Sequence, residues 1–178
     1  TESEHGFVSL WPWSSSELAV AWLDGRNTAG SASHDHKQHD DKGIVGKGMT
    51  LRAAVFGKSG RKINEWQLDS LTCDCCQTAS AMTSKGPIVV YRDRTEDETR
   101  DMSVVRHVNG EWTTPVPLHN DGWKIDYCPV NGPATSAIGD TVVAIWFTGA
   151  QDTSRVNVAF STDAGATFSV PVRADGGM

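Results

Sequence analysis

The chain lacks a long apolar run. Its longest, VVAIWF at 142–147, is far too short to cross a bilayer, so no membrane span is expected. Helical periodicity is nearly absent as well. A basic patch is also missing. The net charge is −6 and is spread along the chain, which argues against nucleic acid as a partner. No signal peptide is visible, and the chain opens TESEHGF without Met. A leader, or a whole upstream segment, is expected to lie outside this sequence. Cysteine is scarce but concentrated. Three of the four cysteines, Cys73, Cys75 and Cys76, fall within LTCDCCQTAS, and the fourth is Cys128. What remains, 178 residues with 38% hydrophobic and 21% charged, is enough for one soluble domain with a real core.

The sequence repeats itself. LAVAWLDGR (18–26), IVVYRDRTE (88–96) and VVAIWFTGA (142–150) are each a β-branched run with an aromatic near its end. With Trp22, Tyr91 and Trp146 aligned, the spacings are 69 and 55 residues. A second run follows each time: MTLRAAVF (49–56), MSVVRHV (102–108) and VNVAFS (156–161). A third follows after a Gly-containing turn: EWQL (65–68), EWTTPVPL (111–118) and TFSVPV (167–172). A short stretch precedes each unit: FVSLWPW (7–13), TASAMT (78–83) and PATSAI (133–138). Four short strands in a unit of roughly 50 residues is the signature of a β-propeller. The expected fold is therefore all-β, a propeller segment of about three four-stranded blades. The blades fall near 7–68, 75–119 and 130–174 of one partial domain, 1–178. An ordinary β-sandwich is the alternative.

EHGFVSL, AWLDGR, CDCCQTA, VVYRDR, RDM, CPVNGPA and AFSTDAGATF occur in order along nearly the whole chain. With these motifs the sequence resembles the bacterial sialidase-like (BNR/Asp-box repeat) propellers, close to uncharacterised exo-α-sialidase-like secreted proteins. STDAGATF resembles the Asp-box turn of that family, with Ser161, Asp163, Gly165, Thr167 and Phe168 in its set positions. The resemblance implies that these five are structural. It also implies six blades, so three would be completed by the missing blades of a longer chain or by a second copy in a homodimer. It implies export, to the periplasm or outside the cell. The Arg-Ile-Pro motif, which carries a substrate-binding arginine in true sialidases, is absent here.

In a blade meander, the loops between the second and third strands share a face with the crossovers between blades. That face would collect 24–48, 93–101 and 148–155, together with 69–77 and 119–132. Asp24 and Asp93 hold corresponding places there and are the candidate catalytic carboxylates, since glycoside cleavage needs two. Arg26, Arg92 and Arg94 flank them and are candidates to bind a carbohydrate or other small polar ligand. An ion-pair network over Arg92, Asp93, Arg94, Arg100 and Asp101 is the other reading of that loop. Trp123 and Asp126, in the second crossover, are further candidates to bind that ligand. Trp123 could stack on a sugar or plug the gap between blades. His34, His36 and His39 alternate with acids in the first loop and form a candidate weak metal site, or a solvated polar loop.

Cys73 and Cys128 are 55 residues apart, one repeat, so all four thiols are expected at one mouth. Three chemistries stay open. One is a Cys73–Cys128 staple with a vicinal Cys75–Cys76 pair. Another is a thiolate site for zinc or copper(I). The third is free, packed thiols. The function expected first is glycan binding or hydrolysis, which needs no cofactor. The alternative is a non-catalytic secreted propeller that binds metal or a protein partner.

Overall fold

The computed structural model describes residues 3–28 and 48–176. His34, His36 and His39 lie outside the described residues. The fold is all-β, in three antiparallel sheets of four to five strands. The first sheet runs β1 (His5–Pro12), β2 (Glu17–Asp24), β3 (Met49–Gly57) and β4 (Lys62–Thr72) in simple meander order. The second holds β5 (Ala79–Thr83), β6 (Gly86–Arg92) and β7 (Met102–Val108), with β8 (Glu111–Trp112) and β9 (Val116–His119) both pairing to β7. The third runs β10 (Ala134–Ile138), β11 (Thr141–Thr148), β12 (Arg155–Ser161) and β13 (Val172–Arg173). A 3₁₀ turn at Ala150–Asp152 is the one helical element among the described residues. Among the described residues, no helix is long and apolar enough to cross a membrane.

The middle sheet is buried on both faces, and this explains why β6 reads as a continuous apolar run rather than an alternating one. Val89, Tyr91 and Val105 pack toward the first sheet, against Ala21, Leu23, Leu51 and Ala53. Ile88, Val90, Met102 and Val104 pack toward the third, against Val142, Ala144, Trp146 and Ala159. The strands β1, β5 and β10 adjoin across the sheets. A register shift between Gly6 and Ser9 bulges β1, and there Phe7 has φ 56°. Side chains at the start of the second sheet take up carbonyls of this bulge. Thr78 Oγ1 donates to Phe7 O at 2.7 Å and Gln77 Nε2 to Val8 O at 3.0 Å.

The outer faces are different. Leu10 and Leu18 on the first sheet, and Ile145 and Phe160 on the third, remain exposed. The last strand is also shorter than the pattern TFSVPV predicts, with only Val172 and Arg173 pairing to β12. Pro171 has no N–H to give the ladder.

The turn from β12 toward β13 is built by Ser161 and Asp163. Ser161 Oγ donates to Asp163 Oδ1 at 2.7 Å and accepts from Gly165 N at 2.8 Å. Asp163 also accepts from Thr167 N at 3.0 Å and Thr167 Oγ1 at 2.6 Å. The Thr167 and Ser161 bonds hold its carboxyl far below the usual range. Gly165 has φ +79°, and a Cβ there would meet Ile88 Cδ1 at 2.3 Å. Phe168 packs on the core between the second and third sheets. Asp163→Ala removes the turn's acceptor and is expected to lower unfolding free energy by about 1–2 kcal/mol in urea titration. Unchanged stability would mean that the turn holds itself without the carboxylate.

Candidate functional site

The four cysteines meet where the first crossover leaves β4. Cys73 N donates to Arg92 O at 3.1 Å, so the chain turns beneath the end of β6. Asp74 fixes the turn by accepting from Met49 N at 2.8 Å and Arg94 Nη1 at 3.0 Å. The sulfurs of Cys73, Cys75 and Cys76 lie within 4.8 Å of one another, a spacing that a metal ion could bridge. Cys75, however, is disulfide-bonded to Cys128, with the Cα atoms 6.2 Å apart. The Cys73–Cys128 staple and the vicinal Cys75–Cys76 pair are thereby corrected. Cys73 and Cys76 are free and buried. One repeat of spacing placed Cys73 opposite Cys128, but the turn at Asp74 sends Cys73 inward and leaves Cys75, half-buried, beside the exposed Cys128. Gly132 lets the second crossover come this close, because a Cβ there would meet Gln77 O at 2.1 Å.

Cationic groups surround the buried thiols. Arg100 Nη1 donates to Cys73 Sγ at 3.5 Å, while its Nη2 pairs with Glu98 at 2.7 Å. The Cys76 thiol bonds to Cys73 and, with Arg100, lowers the Cys73 pKa despite burial. The same contact and burial push Cys76 up. Arg100 Nε is buried and has no hydrogen-bond partner among the described residues.

The arginine candidates separate into distinct roles. Arg92 is only 1% exposed. Its Nε donates to Asn131 O at 2.9 Å, Nη1 to Arg100 O at 2.6 Å and Nη2 to Phe147 O at 2.8 Å. All three nitrogens are therefore committed to backbone, and the plane lies 4.8 Å from the Trp123 ring centroid. Arg92 is a rivet between the second and third sheets rather than a ligand-binding arginine. Trp123 is 8% exposed, with Arg92 over its ring and the Phe147 edge at 5.5 Å. It packs between Arg92 of β6 and Phe147 of β11 and also lines a cleft shared with Asp126. Arg94 bridges Asp74 and Glu98, and Glu98 continues to Arg100. The ion pairs of this loop therefore run through Asp74 and Glu98. Asp101 instead accepts from Gly122 N and Trp123 N, at 2.8 and 2.9 Å.

The two candidate carboxylates are not equivalent. Asp24 is 1% exposed and accepts from Trp22 Nε1, Arg26 N, Arg26 Nε and Arg26 Nη2 at 2.7–2.9 Å. Burial raises its pKa, but the Arg26 bonds outweigh burial and hold it far below the usual range. Arg26 is more exposed and also reaches Glu65 at 2.9 Å. This cluster is closed and fully bonded. Among the described residues, the Asp93 carboxylate accepts from Arg94 N at 2.7 Å and Ser103 Oγ at 3.0 Å. Burial, then the negative charge of Asp69, push its carboxyl up to about 6. Asp69 and Asp93 both line a cavity of about 480 Å³, with Arg94, Thr95, Glu96 and Ser70. Tyr91 Oη donates to Asp69 from below.

A second, larger cleft has a volume of about 900 Å³. Asp97, Lys124, Asp126, Cys128, Phe147 and Asp152 are among its lining residues. Asp126 is therefore a wall of the cleft into which Cys128 opens. Asp69, Glu98 and the inward Cys73–Cys76 pair did not stand out in the sequence. The Cys-x-x-Cys spacing within CDCC was the signal for the pair. Asp69 and Glu98 carried no such signal, since both are ordinary acids near strand ends. No protein-family model matches the chain, and no curated protein matches it either.

Proposed function

We propose that this chain is part of a secreted sialidase-like propeller that binds glycans and cleaves a glycosidic bond, with Asp93 as the proton donor. One observation carries the reading. Asp93 is a carboxyl raised to about 6, opening with a second carboxylate, Asp69, on a cavity that also presents Arg94. Glycoside hydrolysis uses two carboxyl groups, one of which keeps its proton to higher pH than usual. Asp69 here replaces Asp24, which is locked. Arg94, already balanced by two acids, would orient an acidic or polyhydroxyl group.

The propeller reading is supported by meander sheets stacked face to face with their first strands adjoining. It is also supported by the uncovered apolar residues on both outer sheets, which further blades or a second copy would cover. The disulfide is consistent with an oxidising compartment. A second reading, zinc or copper at the cysteine cluster, draws on the three close sulfurs. With Cys75 oxidised, only Cys73 and Cys76 of the cluster are left as free thiols, fewer than the four ligands of a structural zinc site.

The test is turnover and binding of sialosides and other acidic sugars. Asp93→Asn is expected to cut turnover at least ~100-fold. Activity is expected to fall as pH rises through about 6, where Asp93 loses its proton. Stability carries the same signature. The folded pKa is raised, so the stabilisation is complete below the ordinary aspartate value of 3.8 and lost as pH rises through about 6. At pH 8 Asp93→Asn should match or exceed the wild type, by on the order of 2 kcal/mol, and the gain should vanish near pH 4. An Asp93→Asn chain that unfolds at pH 8 would make Asp93 a structural group and end the catalytic reading.

A further inference from the structure

We infer that the four cysteines form a dithiol–disulfide exchange centre, in which the buried Cys73 and Cys76 take over the disulfide from Cys75 and Cys128 and so open the link between the two crossovers. The inference is independent of the glycan reading. It begins with position. Cys73 Sγ lies 3.8 Å from Cys75 Sγ, so a free thiol sits in contact with a disulfide sulfur. Cys76 Sγ belongs to the same group, within 4.8 Å of both. Cys73 and Cys76 have the Cys-x-x-Cys spacing of redox-active dithiols. The Arg100 guanidinium, 3.5 Å from Cys73 Sγ and anchored by Glu98, favours the nucleophilic thiolate there. The far end of the disulfide is different, because Cys128 is exposed and lines the larger cleft, where water stabilises a leaving thiolate.

The exchange balances without an outside oxidant or reductant. In the first step the Cys73 thiolate attacks Cys75 Sγ. A Cys73–Cys75 bond forms, the Cys75–Cys128 bond breaks, and Cys128 leaves as a thiolate. In the second step Cys76 gives up its proton and attacks Cys73 Sγ. A Cys73–Cys76 bond forms, and Cys75 leaves and takes up the proton that Cys76 lost. Two electrons have moved from the buried pair to the outer pair. The crossovers then keep their packing, such as Gly132 against Gln77, and their hydrogen bonds to Arg92, but no covalent link.

The experiment uses chain purified without reductant or chelator and assayed for zinc and copper, then treated in the folded state with a maleimide and mapped by peptide mass spectrometry. Labelling of Cys128 removes it irreversibly and draws the exchange forward. The wild type is expected to accumulate labelled Cys128 together with a Cys73–Cys76 disulfide. Cys76→Ser should stop at Cys73–Cys75 with Cys128 still labelled. Cys73→Ser should slow Cys128 labelling at least about tenfold, with circular dichroism showing that the fold is kept. If Cys73→Ser does not fold, the wild-type map decides alone. A Cys75–Cys128 bond that stays intact and unlabelled overturns the inference. So does equal Cys128 labelling in wild type and folded Cys73→Ser, and so does zinc or copper held by all four sulfurs in the purified protein.

Discussion

Arg92→Ala is expected to lower unfolding free energy by about 4–6 kcal/mol, enough to leave a domain of this size partly unfolded at 37 °C. The loss follows from what the guanidinium touches. It is the donor to three carbonyls, those of Arg100, Asn131 and Phe147, which belong to a loop, a crossover and β11. Each buried carbonyl left without its donor costs about 1–3 kcal/mol. The lost contact with Trp123 and the cavity add to that. Arg92→Lys keeps the charge but has one nitrogen where three are needed, so it should recover less than half of the loss. Arg92→Met separates packing from hydrogen bonding. Burial alone works against the charged form of Arg92, so a neutral side chain of similar length removes that penalty. Met is therefore expected to fall between Lys and wild type if desolvation dominates, and beside Ala if the three carbonyls do. A loss below about 1 kcal/mol for Arg92→Ala, read from urea titration by tryptophan fluorescence, would refute the rivet.

Arg92 also marks where the sequence stops being legible. The all-β fold and the strand runs could be read from β-branched stretches punctuated by Gly-containing turns, because those patterns reflect local backbone preference and burial. Trp22, Tyr91 and Trp146 recur for a related reason. Each donates a hydrogen bond to a carboxylate, Asp24, Asp69 and Asp121 respectively. The charged candidates were harder, since their roles depend on distant neighbours. Asp24 and Asp93 hold corresponding places after aromatic strands. Only the fold places Arg26 against both oxygens of the first, and Asp69 beside the second. Likewise, the repeat brought the four cysteines to one place. Their pairing depended on which way each side chain leaves a four-residue turn, and a spacing of one repeat does not carry that information.

Removing the Cys75–Cys128 link should cost nearly as much as removing Arg92, by a different route. The bond closes a loop of 53 residues. In the chain-entropy picture, closing a loop of this length removes about 4 kcal/mol of freedom from the unfolded chain. Cys75→Ala/Cys128→Ala is therefore expected to unfold about 8–16 °C lower than wild type in oxidising buffer. Changing both residues leaves no half-pair to recombine with Cys73 or Cys76. Dithiothreitol should bring the wild type down to the double variant and leave the double variant where it was. The comparison also tests whether the stabilisation lies in the cross-link or in the side chains. If reduced wild type stays well above the double variant, packing of the cysteines around Arg100 and Gly132 carries the stability. If the two coincide, the link itself holds the crossovers together, and any exchange that moves the disulfide onto Cys73 and Cys76 would loosen the mouth of the cleft by the same amount.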